Sequence, residues 1–131
     1  MKKIMVVDDD KDTTTLLEGL LKMEGYEPIV ENDSTVAVET ANRVRPDIFL
    51  LDLMMPVIDG FKLCRLLRDH PRFFNTPIII ITALDDKDSK IVAFGAGAND
   101  YITKPYHPRQ LAAKLKGYFS TDENPEAAVE G

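Results

Sequence analysis

The stretches Ile4-Met5-Val6-Val7-Asp8-Asp9 and Ile48-Phe49-Leu50-Leu51-Asp52 decide the fold of this chain. Each is a short apolar run closed by carboxylates. Such a run, bounded by charge, reads as a buried strand, because a helix needs roughly ten or more residues. If both are parallel strands of one sheet, Asp8, Asp9 and Asp52 gather at one edge, outside the strand C-termini. That edge is where open α/β folds bind ligands. Three close negative charges repel unless a cation joins them. A hard divalent metal held by oxygens, such as Mg²⁺, is the simplest answer. Thr82 ends a third run, Ile78-Ile79-Ile80-Ile81, and Lys104-Pro105 follows a fourth, Asp100-Tyr101-Ile102-Thr103. The edge thus gains a hydroxyl and an ammonium. An aspartate, a metal, a hydroxyl and a lysine are the parts needed to place a phosphoryl group on a carboxylate.

The rest of the chain fits around these strands. Its 131 residues, 44% of them apolar, suffice for one α/β domain with a closed core. Helices are expected over 12–24, 34–44, 60–69, 86–95 and 108–119. In the first, Leu16, Leu17, Leu20, Leu21 and Met23 supply the apolar face, Asp10 or Asp12 the cap and Gly25 the stop. Ser34 is the cap candidate of the second. Asp59 and Gly60 read as a cap and a tight turn before the third. Gly97 is the better left-handed stop for the fourth, and Pro108 opens the last. Glu27 to Glu31 is a half-polar strand suited to a sheet edge. Strand and helix alternate five times, which predicts a doubly wound parallel sheet with helices on both faces. From Ser120 the composition turns polar and aperiodic, so residues 1–119 are expected to form the domain and 120–131 a disordered tail or linker stub.

Composition excludes several classes. With 22 acidic against 16 basic residues the formal charge is −6, which disfavours nucleic acid and anionic membrane as direct partners. The single cysteine, Cys64, cannot form an internal disulfide. No apolar run is long enough to span a bilayer, and a cytoplasmic location is expected. No GxGxxG follows the first strand and no GxxxxGK[ST] appears, so nucleotide-binding readings lack their signatures.

Four pieces together resemble the receiver domain of bacterial response regulators: Val6-Val7-Asp8-Asp9, Leu51-Asp52-Leu53-Met54-Met55-Pro56-Val57-Ile58-Asp59-Gly60, Ile81-Thr82-Ala83 and Tyr101-Ile102-Thr103-Lys104-Pro105-Tyr106. Each alone is weak; four in order, each at an expected strand end, over about residues 3–119, are specific. The resemblance implies a flavodoxin-like α/β fold, strand order 2-1-3-4-5, in which the first and third strands are neighbours. It implies Asp52 as the phosphoacceptor and Asp9 as a direct Mg²⁺ ligand. Asp8 would act largely through a metal-bound water, with the Met54 carbonyl a further ligand. Thr82 and Lys104 would each take a phosphoryl oxygen, and Tyr101 would be an aromatic switch residue working with Thr82. A cis Lys104-Pro105 bond is also implied.

The phosphoryl donor would be a phosphohistidine on a sensor histidine kinase or phosphotransfer protein. His70 and His107, both beside prolines, do not look like the donor. Such a chain is a switch rather than a turnover enzyme. Its output passes to an effector domain or target protein that the sequence does not identify, and a homodimer through residues 86–119 is compatible but not forced. The stretch from Gly97 to Lys116 resembles receivers joined to winged-helix transcription factors. Two alternatives stand beside this reading. A haloacid-dehalogenase-type phosphatase would need an acid–base aspartate two residues after Asp52, where Met54 stands and cannot move a proton. A pseudo-receiver that only binds a partner would have lost Asp52, Asp9 or Lys104, and all are present. Met54 and Leu84, beside the expected phosphoryl position, are both apolar, so neither can orient an attacking water.

Overall fold

The computed structural model describes residues 1–123, with side chains through Ser120. Five strands alternate with five helices: β1 (Lys3–Val7), α1 (Lys11–Met23), β2 (Glu27–Glu31), α2 (Ala37–Val44), β3 (Ile48–Leu51), α3 (Gly60–Asp69), β4 (Ile78–Thr82), α4 (Lys87–Gly95), β5 (Asp100–Thr103) and α5 (Pro108–Glu123). All pairings are parallel, in the order β2-β1-β3-β4-β5. The doubly wound, flavodoxin-like arrangement is therefore the observed one. None of the helices described is long and apolar enough to cross a membrane.

The period of two along each strand sorts the core into two layers. Met5, Val7, Phe49, Leu51, Ile78 and Ile80 face α2, α3 and α4 through Ala37, Ala41, Leu63, Cys64, Leu67 and Ala93. Ile4, Val6, Ile48, Leu50, Ile79, Ile81 and Ile102 face α1 and α5 through Leu17, Leu21, Leu111, Leu115 and Phe119. Central strands covered on both faces must be apolar at every position, which explains the unbroken runs in β1, β3 and β4. Cys64 lies wholly inside, and burial pushes its thiol up to about 11, where it is inert.

Several local expectations needed correction. The inward face of α1 is narrower than five residues: Leu17 and Leu21 are buried, Leu20 is at the margin, and Leu16 and Met23 are 77% and 89% exposed. One stripe of a short helix meets the sheet, and residues 16 and 23 fall outside it. The segment expected as one helix from residue 34 begins as a 3₁₀ turn, Ser34–Val36, before α2. Asp33, not Ser34, caps that turn by accepting from the Thr35 amide. The Ser34 hydroxyl instead donates across to the Pro56 carbonyl at 3.1 Å. Helix α5 runs to Glu123, past the expected boundary at 119, and the rest of the expected tail, 124–131, lies outside the described residues. Asp10 caps α1, and Gly25 and Gly97 take left-handed φ values of 88° and 113° after α1 and α4, as the sequence required.

Gly60 is the most constrained glycine. Its amide donates to the Leu53 carbonyl at 3.0 Å, and Asp59 caps the helix it opens. A Cβ there would collide with the backbone of Asp52 and Leu53. Gly19, by contrast, is exposed within α1 with open space around it. Gly60→Ala should therefore lower stability by about 2 kcal/mol or more. Gly19→Ala should raise it by roughly 0.5–1 kcal/mol through the unfolded state. Urea unfolding of the two variants checks this, and equal midpoints would refute it.

Candidate functional site

The parallel register aligns Val7 with Leu51, so the residues that follow, Asp8 and Asp52, leave the sheet side by side. The Asp52 amide still donates to the Val7 carbonyl at 3.1 Å, which carries the ladder into the site. Thr82 closes β4 on the far side of β3, and Lys104 follows β5. The Lys104 amide donates to the Thr82 carbonyl at 2.7 Å, and the Lys104-Pro105 bond is cis.

Lys104 joins the two carboxylates. Its Nζ donates to Asp8 Oδ2 at 2.8 Å and to Asp52 Oδ2 at 3.1 Å. Each carboxylate has its other oxygen held by a backbone amide: Asp10 N–H to Asp8 Oδ1 at 3.0 Å, and Met54 N–H to Asp52 Oδ1 at 3.1 Å. Asp8 and Asp52 are 3% and 8% exposed, so the pair sits at the floor of the edge rather than in bulk water.

These surroundings set the charges. Burial would depress the Lys104 ammonium, but its hydrogen bond to Asp8 and the charges of Asp52 and Asp8 outweigh it and hold its pKa above the ordinary value. Burial pushes Asp8 above its ordinary 3.8, opposed by Lys104 and by the Asp10 amide and reinforced by Asp52. A carboxylate buried beside a second carboxylate is short of positive charge even with one ammonium present.

The expected site residues are not all joined. Asp8, Asp52 and Lys104 form one bonded cluster. Thr82 is wholly buried at the same edge, its Oγ1 accepting from the Leu84 amide at the long distance of 3.5 Å. Asp9 is exposed and makes no bond within the cluster, and among the described residues no group of three His, Cys, Asp or Glu is arranged to hold a metal. The donors are nevertheless all hard oxygens, three carboxylates and the Met54 carbonyl, which is the chemistry Mg²⁺ takes. Tyr101, half-buried, donates its hydroxyl to the Leu84 carbonyl at 2.6 Å and lies beside Phe94 and Lys90. Burial first, then the charges of Asp86, Asp52 and Asp85, raise its pKa. Met54 is 57% exposed, whereas Leu84 packs its side chain against the core. Asn32 and Ser34 are neighbours of the site that sequence reasoning did not single out for it. Asn32 donates to the Asp8 carbonyl at 2.9 Å, and Ser34 reaches the loop that carries Met54.

A flavodoxin-like sheet with a lysine-bridged aspartate pair at its C-terminal edge defines a small class of α/β domains. Within it, residues 4–116 match the response regulator receiver domain family, and the chain belongs to that family. Its similarity to the alkaline phosphatase synthesis transcriptional regulatory protein PhoP of Bacillus subtilis is 38% identity over 122 residues, 93% of this chain and 50% of that protein. The chain thus spans about half the length of this curated relative. The beryllofluoride-activated N-terminal receiver domain of Klebsiella pneumoniae RstA is 37% identical, with a TM-score of 0.84 over 89% of this chain and 97% of that one. The receiver domain of the Francisella response regulator 1452 is 31% identical, with a TM-score of 0.84 over 93% and 99%. The chain is therefore a receiver domain of the two-component signalling type, and the phosphatase reading falls with that family.

The charge balance of the cluster is testable through pH. Folded Asp8 holds its proton more tightly than the unfolded chain does. Its contribution to stability therefore falls as pH climbs from 3.8 through its folded midpoint. The Lys104 contribution is constant there. It is present below 10.5 and lost as pH rises through the folded lysine midpoint. Lys104→Met removes both a hydrogen bond and a charge that favour ionised Asp8, so the Asp8 midpoint should move further up. Carboxyl ¹³C NMR titration in Mg²⁺-free buffer reads this, and an unmoved midpoint would count against Lys104 as the balancing charge.

Proposed function

We propose that Asp52 is the residue that receives the phosphoryl group. The observation that carries this is the single ammonium of Lys104 bonded to both Asp8 and Asp52 at the ligand-binding edge of the sheet. A carboxylate and a dianionic phosphoryl group repel, and the site must first cancel that charge. Asp8, Asp9, Asp52 and the Met54 carbonyl would hold Mg²⁺. When bound, Mg²⁺ supplies positive charge that offsets the repulsion between acceptor and incoming group. Lys104 supplies more, already fixed in place.

In the transfer, an Asp52 oxygen attacks phosphorus in line as the bond to the donor imidazole breaks. The product is an acyl phosphate, and the imidazole leaves with its electron pair and takes up a proton. The donor is the phosphohistidine of a sensor histidine kinase or phosphotransfer protein. Lys104 exchanges its contact with Asp52 for a phosphoryl oxygen. The Thr82 hydroxyl, held only by a long contact to Leu84, turns to donate to another. Because Leu84 also receives the Tyr101 hydroxyl, movement at Thr82 loosens Tyr101 and lets its ring turn inward. The readout is the face of residues 86–119, where Ile91, Val92 and Phe94 of α4 are 58%, 42% and 48% exposed. An effector domain, a target protein or a second copy would be read there. Residues 1–119 would then be the receiver proper, with α5 carrying on to Glu123 into a tail or linker. Met54, more than half exposed, would cover the acyl phosphate from water, a role that Leu84, packed on the core, is less free to share.

Incubation with acetyl phosphate and Mg²⁺ should add one phosphoryl mass to the protein, and Asp52→Asn should lose that adduct. Intact-mass spectrometry decides, and an undiminished adduct in the Asn variant would move the acceptor elsewhere.

A further inference from the structure

Asn32 lies just past β2, half-buried, and has no assigned part in phosphoryl transfer. Its amide makes two donations, to the Asp8 carbonyl at 2.9 Å and to Thr14 Oγ1 at 3.0 Å. Thr14 is 2% exposed in the first turns of α1, and its hydroxyl is itself fixed by donating to the Lys11 carbonyl at 3.1 Å. The turn that carries Asn32 is also braced. Glu31 accepts from the Thr40 hydroxyl at 2.8 Å and from the Asp33 amide at 3.1 Å, and its carbonyl receives the Asp8 amide at 3.3 Å. The end of β2 thus grips Asp8 at both its N–H and its C=O.

The carbonyl of Asp8 and the amide of Asp9 belong to one planar peptide unit. Holding that carbonyl fixes the plane, and with it the direction in which Asp9 leaves the strand. Asp8 and Asp52 have their carboxylates anchored by Lys104 and by backbone amides, whereas Asp9 is exposed on the rim. The orientation of Asp9 therefore depends on the backbone that presents it. We propose that Asn32 is a positioning residue that aims Asp9 toward the metal site, an inference that rests on Asp9 being a Mg²⁺ ligand. It never touches the metal or the phosphoryl group. It acts through the Asp8–Asp9 peptide, in the manner of outer partners that orient metal ligands.

The test is Mg²⁺ titration followed by amide chemical shifts, without any phosphoryl donor. Four proteins are compared: wild type, Asn32→Ala, Asp9→Asn and the double variant. Asn32→Ala should weaken Mg²⁺ binding about tenfold, the lower end for an outer partner of a metal ligand. In the Asp9→Asn background the same change should cost no more than about twofold, because the group it aims has lost its charge. Thr14→Ala, which removes the second acceptor and leaves the Asp8 carbonyl bond, should lower the melting temperature and keep near-wild-type affinity. Equal losses in both backgrounds would show that Asn32 acts on the fold and not through Asp9, overturning the inference. An unchanged affinity in Asn32→Ala, with Asp9→Asn still weakened, would also overturn it and leave the function standing. A wild type that binds no Mg²⁺ would remove both. Should Asn32→Ala fail to fold, Asn32→Ser is read by the same criteria.

Discussion

One ammonium between two buried carboxylates is the constraint around which this domain is built. The sheet is parallel, so the register that packs Val7 against Leu51 also forces Asp8 and Asp52 together at its edge. Both are nearly withdrawn from water, where like charges repel most strongly. Lys104 reaches them from the opposite side of the sheet's centre, across β3 and β4. The arrangement is stable but short of positive charge. That deficit is what the proposed Mg²⁺ would offset.

The loops around the edge are tied to each other more than to their own strands. Asn32 links the β2 exit to the Asp8 carbonyl and to α1. Ser34, buried, links the same turn to the Pro56 carbonyl in the loop after Asp52. Gly60 lets α3 start directly against the backbone of Asp52 and Leu53, where any side chain would collide. On the far side, Lys104 and Thr82 share a backbone hydrogen bond, and Leu84 meets both the Thr82 hydroxyl and the Tyr101 hydroxyl. A change of occupancy at Asp52 therefore has a short path through Thr82 and Leu84 to Tyr101 and α4. The Asp8 and Asp52 carboxylates are each held at both oxygens, whereas the Thr82 hydroxyl is met by one long contact.

Much of this was legible in the residues because the signals were periodic or terminal. The bounds of β2, α3, β4 and β5 coincide with the expected 27–31, 60–69, 78–82 and 100–103. Proline, glycine and aspartate punctuate each of those segments. The meeting of Asp8 with Asp52 followed from two strand ends and needed only the parallel pairing. What was not legible depends on where long or ambiguous side chains reach. Leu16 and Met23 look apolar enough for the core, yet the sheet covers one stripe of α1. Ser34 and Asp33 are both good caps, and tertiary contact with Pro56 claimed the serine. Nothing in the sequence singles out Arg68 on α3. Its guanidinium ties α3 to Gly97, Phe73, Thr76 and Asn99, holding the turns that lead into β4 and β5. The exposure of Asp9, against the burial of Asp8 and Asp52, was not legible either, because it depends on how the chain leaves β1.

The central claim is that Lys104 holds Asp52 ready and releases it to the incoming group. A crystal structure of the protein with Mg²⁺ and beryllofluoride tests it directly. The account predicts beryllium bonded to an Asp52 carboxylate oxygen, with the Lys104 ammonium on a fluorine instead of on Asp52. It also predicts the Thr82 hydroxyl on a second fluorine and the Tyr101 hydroxyl parted from the Leu84 carbonyl. Beryllofluoride bound away from Asp52, or bound there with Lys104 still bridging Asp8 and Asp52, would contradict it.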